Sequence, residues 1–211
     1  MTAEAPSAPQ VAPMTRREFL YYVWAASMAI FTAEFTGLMI WFMFPRFRAG
    51  EFGGLFTLAL GEIPPVDSEP AEFPAGRFWL VNLGEKRLND SRQPTDYVVQ
   101  PGVRVLYKVC VHLGCLYKWV PTNDRFECPC HGSKYLVTGT RIDGPATRNL
   151  DTFQFDFVDA NGSVIAAVDL VGEGRTAEAG SVPLPSNAAS IRVNTGDRIN
   201  GAHNTAPGGG L

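Results

Sequence analysis

The sequence predicts a mainly β fold, an antiparallel sandwich with a small inserted subdomain, preceded by one N-terminal transmembrane helix. Three observations predict it. An apolar run from Phe19 to Phe44 is interrupted only by Glu34. Further along, Phe153, Phe155 and Phe157 alternate with Gln154 and Asp156, the period of a strand with one buried face. Finally, all four cysteines and two of the three histidines fall in two short stretches, 110–115 and 128–133, which mark out an insert of about Cys110 to Ala146.

Taken in order, residues 1–18 open with an Ala/Pro-rich stretch, Met1 to Met14, that has little apolar patterning and is expected to be disordered. Residues 19–45 are the expected anchor. From Phe19 to Phe44 a helix spans about 39 Å, against about 30 Å of bilayer hydrocarbon, so it can cross with tilt. Tyr21, Tyr22, Trp24 and Trp41 lie toward its ends, where interfacial aromatics belong, and Pro45 stops the pattern. A cleaved signal peptide would carry a shorter apolar region, about 7–15 residues. Orientation is not set by charge, because Arg16 and Arg17 on one side are balanced by Arg46 and Arg48 on the other. Glu34 is costly in lipid and is expected to face another protein helix.

Residues 46–54 include Gly50, Gly53 and Gly54 and read as a flexible hinge. Residues 55–171 then form one domain, since roughly 160 residues after the anchor suffice for one core. Phe78–Val81 and Val103–Tyr107 read as strands. Asn161-Gly162, ahead of Val164–Val168, predicts a type I′ hairpin turn. Residues 172–211 contain no aromatic side chain and are rich in Gly, Ala, Asn and Ser, a polar C-terminal extension. His203 in that tail is expected to be solvated. The chain carries a net charge of −3, with 14 basic against 18 acidic residues from Ala49 onward and no basic stripe, which argues against nucleic-acid binding.

The two cysteine–histidine stretches carry the chemistry. One reads Cys110-x-His112-x-Gly114-Cys115, the other Cys128-x-Cys130-His131-Gly132-Ser133. Each holds one Cys and one His at ligand spacing, with one further Cys. A structural zinc site uses the same donors, but zinc fingers place them as paired C-x₂₋₄-C and H-x₃₋₅-H, whereas Cys and His alternate here. Two ordinary disulfides would leave His112 and His131 unexplained.

These stretches resemble the cluster-binding boxes of Rieske iron–sulfur proteins, and more closely those of cytochrome bc and bf complexes. The resemblance spans about Val103 to Leu150, plus the anchor. It implies a Rieske-type sandwich holding one [2Fe–2S] cluster, with Cys110 and Cys128 on one iron and His112 and His131 on the other. It implies too that Cys115 and Cys130 are joined to each other. Gly114 and Gly132 belong to the boxes. Gly144-Pro145-Ala146 looks like the family's proline loop over the cluster, and Ser133 and Tyr135 stand where the family donates hydroxyl hydrogen bonds to sulfur. With two ferric ions, two sulfides, two thiolates and neutral imidazoles the oxidised cluster is uncharged, so electron uptake makes it anionic and links to proton uptake at the histidines.

By the same resemblance the chain is the redox subunit, inactive alone, of a quinol–cytochrome c or plastocyanin-type oxidoreductase complex. The resemblance implies that quinol docks at the exposed edge of His131 and gives one electron to the cluster and one proton to the histidine. His112 is expected to be exposed and to titrate as well, and the sequence does not say which of the two meets quinol. The partners implied are a cytochrome b-type membrane subunit, a c-type cytochrome acceptor, quinol and the lipid bilayer. Thr15-Arg16-Arg17-Glu18-Phe19-Leu20 looks like a twin-arginine export motif, which places the domain on the periplasmic or extracytoplasmic side of an energy-transducing membrane, such as a bacterial plasma membrane. The alternative is the electron-relay small subunit of a periplasmic oxidoreductase such as arsenite oxidase. A soluble ring-hydroxylating ferredoxin would need neither the extra cysteines nor an anchor.

Overall fold

The computed structural model describes residues 13–44, 52–93, 99–168 and 180–203. The expected disorder of Met1 to Met14, most of the hinge and the start of the C-terminal extension therefore lie largely outside the described residues. The chain divides into two units, 1–46 and 47–211.

The first unit contains helix α1, Arg16–Met43. It begins earlier than the apolar run because Thr15 caps it. The Thr15 hydroxyl accepts from the Glu18 amide at 3.3 Å while the Glu18 carboxylate accepts from the Thr15 amide at 2.9 Å, so two otherwise orphaned donors are satisfied. Arg16 and Arg17 are thus in the first helical turn and not in a disordered leader. Within the helix, the Ser27 and Thr32 hydroxyls donate to the Val23 and Met28 carbonyls at 2.8 and 2.7 Å, which removes their need for water. Among the described residues this is the one helix long and apolar enough to cross a membrane.

The second unit is built on strands β1 Leu55–Ala59, β2 Ala71–Phe73, β3 Phe78–Leu83, β4 Gly102–Tyr107, β5 Lys118–Val120, β6 Arg125–Glu127, β7 Lys134–Tyr135, β8 Arg141–Asp143, β9 Thr152–Val158, β10 Val164–Ala167 and β11 Ser190–Ile199, with a single-turn helix α2 at Glu85–Leu88. One antiparallel sheet runs β1-β11-β9-β4-β3-β2, with β10 also on β9. It curls on itself. Phe56 of β1 and Phe78 of β3 are separated by three strands in that order, yet their rings lie 5.8 Å apart, edge to face. The expected alternation holds, with Phe153, Phe155 and Phe157 buried in this core. β3 is apolar but for Asn82, and β4 is buried from Gly102 to Leu106, Arg104 included, because both faces are covered. Phe78 and Leu80 face the sandwich core, whereas Trp79, Val81 and Leu83 pack against the insert.

Three expectations are corrected. The polar extension is not an appendage, because β11 lies between β1 and β9 with Ile191, Val193 and Ile199 buried. Its lack of aromatics hid a strand whose β-branched residues suffice where both neighbours cover it. His203 is exposed, although its backbone bridges Arg148. The Asn161-Gly162 turn is not type I′, since Gly162 has φ +82° but Asn161 does not take positive φ. The Asp159 carboxylate instead accepts from the Asn161 and Ser163 amides at 2.8 and 2.9 Å and shapes a longer loop.

The third correction concerns the hinge, whose last residues are docked. β11 carries three extra residues, Thr195 to Asp197, between pairs Asn194–Gln154 and Arg198–Phe153. The Thr195 hydroxyl accepts from the Gly53 amide and donates to the Gly54 carbonyl, both at 2.8 Å. Phe52 stacks on Tyr107 at 6.0 Å with the Arg77 guanidinium 4.7 Å from its ring. A side chain at Gly196 would press on the Gly53 carbonyl oxygen at 2.8 Å.

Candidate metal centre

The insert is a second, four-stranded sheet, β5-β6-β7-β8, whose Tyr117, Phe126 and Tyr135 pack on Trp79 and Leu106 of the main sheet. Its strands are two or three residues long. They are held by this shared core, and they leave the loops before β5 and β7 projecting as a pair.

Those loops are two copies of one turn. Cys110 donates its amide to the Cys115 carbonyl at 2.7 Å and accepts from the Gly114 amide at 3.0 Å. Cys128 likewise donates to the Ser133 carbonyl at 2.9 Å and accepts from Gly132 at 3.0 Å. Closing each turn requires a left-handed residue, and Gly114 and Gly132 have φ +81° and +78°. A disulfide between Cys115 and Cys130, Cα atoms 6.5 Å apart, ties the two turns together.

The remaining thiols, Cys110 and Cys128, are free and each 2% exposed. The Cys128 sulfur lies within 4.8 Å of both disulfide sulfurs. That grouping is not a ligand set, because disulfide sulfurs have no thiolate to offer. His112 and His131 meet with ring centroids 4.7 Å apart and planes at 88°. His131 is exposed. His112 is half-buried, with its Nδ1 shut off from solvent and without a hydrogen-bond partner. Thiols lie inside and imidazoles at the tip, rimmed by exposed Leu113 and Leu116.

Around the thiols the polar groups are buried donors. The Tyr135 hydroxyl lies 3.2 Å from Cys110 Sγ. Burial, and then its bond to Cys110, pushes the Tyr135 phenol far up, so it remains a donor at ordinary pH. Burial likewise raises the Cys110 thiol, while Tyr135 pulls it back. Tyr117, fully buried, is raised chiefly by burial and donates to the Tyr107 carbonyl at 2.8 Å. The Ser133 hydroxyl is buried and accepts from the Ala146 amide at 3.2 Å. Gly144, φ +92°, lies so close to the second turn that a Cβ there would fall 2.5 Å from Ser133 Cα. Half-buried Pro145 follows it.

All of the site residues expected from sequence are therefore brought to one end of the insert. Tyr117, Arg141 and Asn149 were missed. Tyr117 reads as an ordinary core aromatic, and Arg141 as an exposed strand cation, although it is fully buried.

The donor set fits an iron–sulfur cluster. Cys110 and Cys128 are both buried free thiols. Burial disfavours the Cys110 anion, so that a cationic group is needed to hold it as a thiolate, and the buried Nδ1 of His112 lacks a hydrogen-bond partner. Fold and site together define a [2Fe–2S] electron-transfer protein.

Comparison with known proteins narrows this. Residues 68–154 match the Rieske [2Fe-2S] domain. The chain is 32% identical over 152 residues to the cytochrome b6-f complex iron-sulfur subunit of Synechococcus sp. (strain JA-3-3Ab), covering 70% of this chain and 85% of that one. The corresponding subunit of Trichodesmium erythraeum (strain IMS101) is 33% identical over 156 residues, covering 70% and 82%. Among solved structures, the cyanobacterial plasma membrane Rieske protein of Synechocystis PCC 6803 matches with TM-score 0.30 and 28% identity, over 46% of this chain and 84% of that chain. The chain belongs to the Rieske iron–sulfur subunits of the cytochrome bc/bf type, and its cofactor is one [2Fe–2S] cluster.

Proposed function

We propose that the chain is the quinol-side redox subunit of a membrane-bound cytochrome bc or bf-type complex, with Cys110, His112, Cys128 and His131 as cluster ligands. When bound, the cluster supplies a one-electron acceptor of high potential, because neutral imidazoles donate less charge than thiolates. One observation carries the reading: two imidazoles touch at an exposed apolar tip while both free thiols are buried behind them.

His131, the exposed ring, receives the quinol hydroxyl as a hydrogen bond and takes its proton. His112, half-buried, serves the pair from behind. Leu113 and Leu116 offer an apolar rim to the quinol ring and to a cytochrome b-type subunit. Of quinol's two electrons, one passes through this subunit to a c-type cytochrome and the other to the haem of the cytochrome b-type subunit. Helix α1 anchors the chain once in the bilayer, and Glu34 faces a helix of the partner complex. The Arg16-Arg17 motif and the Cys115–Cys130 disulfide support a head on the oxidising, extracytoplasmic side.

The test is purification of the full-length chain from its own membranes in mild detergent. Haem b and a c-type cytochrome should accompany it, with quinol-dependent cytochrome c reduction and a midpoint potential that falls as pH rises into the alkaline range. A molybdenum subunit in place of haem b, or a midpoint flat from neutral to strongly alkaline pH, overturns the proposal.

A further inference from the structure

Arg141 is an unexpected residue at the base of the site. It sits in β8 with its Cα opposite Tyr135 of β7, and it is 0% exposed. A guanidinium is expensive to bury, so the contacts it makes there matter. Its Nη1 donates to the Gly144 carbonyl at 3.1 Å, and its backbone amide donates to the Asn149 side-chain carbonyl at 2.9 Å. Arg141 therefore ties both ends of the 144–149 segment. From the outer side, the Asp143 carboxylate accepts from the Gly144 amide at 2.8 Å and pairs with Lys134 at 2.5 Å. The segment is clamped from inside and out.

What the clamp holds is the Ala146 amide, which donates to Ser133 Oγ at 3.2 Å. A serine hydroxyl has one proton and two lone pairs. With one lone pair filled by Ala146 and no solvent at Ser133, the proton is turned to the buried side, where the Tyr135 hydroxyl also lies, and its freedom to rotate is reduced. We propose that Arg141 is a positioning residue for the redox centre, holding the Gly144–Ala146 segment so that its amide orients the Ser133 hydroxyl as a hydrogen-bond donor to the cluster. The proposal rests on the ligand assignment above. It assigns to a buried cation a control over potential that acts through Ser133.

The test uses full-length Arg141→Met, Ser133→Ala and the double variant, with iron and sulfide content, EPR spectrum, midpoint potential and thermal melting measured on each. Absence of a two-iron, two-sulfide centre in the unaltered protein would refute the ligand assignment itself, separately from the role of Arg141. If that centre is present, Arg141→Met should lower the midpoint, and the double variant should lie no lower than Ser133→Ala alone, because both changes remove the same donor. An unchanged midpoint with a lowered melting temperature would show a merely structural role and overturn the proposal, as would a full additional shift in the double variant. Should Arg141→Met fail to assemble, Arg141→Lys decides. It keeps the charge and loses the planar fork, so an intermediate midpoint supports the proposal and an unaltered one overturns it. Amide hydrogen exchange gives an independent readout, with Ala146 protected in the unaltered protein and exchanging faster in Arg141→Lys.

Discussion

Replacing Tyr135 by Phe removes one hydroxyl and keeps the ring that packs on Tyr117 at 5.9 Å, so the perturbation is confined to the hydroxyl's own contacts, chiefly the 3.2 Å one with Cys110 Sγ and a lesser one with the Ser133 side chain. A hydrogen bond to a charged acceptor contributes about 1.5–3 kcal/mol, but only the part that differs between redox states appears in the potential. Taking about 1 kcal/mol as the strengthening when the sulfur becomes more negative gives about 40 mV, since 59 mV and 1.4 kcal/mol each correspond to tenfold for one electron. The midpoint should fall by about that amount. Quinol oxidation should slow by at most about fivefold, the factor that 1 kcal/mol supplies. Redox titration of the full-length protein, followed by EPR, measures both the shift and cluster integrity. An assembled centre whose midpoint stays within about 10 mV of the unaltered protein would refute the reasoning, because it would put the differential energy below about 0.25 kcal/mol.

Three further outcomes are expected. Cys115→Ala or Cys130→Ala should cost about 3 kcal/mol, the value for a closed loop of about 15 residues, and should reduce cluster retention more than it loosens the main sheet; free thiols at both positions in the mature, loaded protein would contradict this. Tyr117 is neutral and buried with its folded pKa raised, so its contribution to stability is complete below about pH 10 and is lost above it, at about 1.4 kcal/mol per pH unit. Tyr117→Phe should therefore cost about 1 kcal/mol at neutral pH yet flatten the alkaline loss of stability, and an identical alkaline slope would count against the assignment. Thr195→Val should free the Gly53 amide while the backbone amide of residue 195 still holds the Gly54 carbonyl, seen as faster amide exchange at Gly53 with the β9–β11 amides still protected.

Much of this was legible in the sequence, for identifiable reasons. The apolar run of the N-terminal helix is long and broken only by Glu34, the cysteine–histidine turns depend on residue identity at fixed offsets, and β9 keeps its period-two pattern because one face is core and the other is not. β11 was illegible because its alternation, Ile191, Val193, Thr195, is broken by the extra residues that hold Gly53 and Gly54. β5 to β8 are too short for any period to show. Arg141 defeated the usual expectation that a strand arginine is exposed, since its guanidinium donates to a loop carbonyl, that of Gly144, which no period in the sequence reveals.

The two turns also explain why the site is asymmetric. Each is closed by a Cys and by a Gly four residues on, so equivalent positions can be compared. The second position after the first Cys holds His112 in one turn and Cys130 in the other. The fifth holds Cys115 in one and Ser133 in the other. The disulfide therefore joins a fifth position to a second position, not like to like. The histidines fall at offsets of two and three, which fits one ring being half-buried and the other exposed. With Cys115 committed to the disulfide, the fifth position of the second turn is free to carry a hydroxyl, and Ser133 there meets the segment held by Arg141. Near-equivalent turns with unequal offsets thus leave one imidazole exposed and the other half-buried, and keep the Ser133 hydroxyl on the buried side.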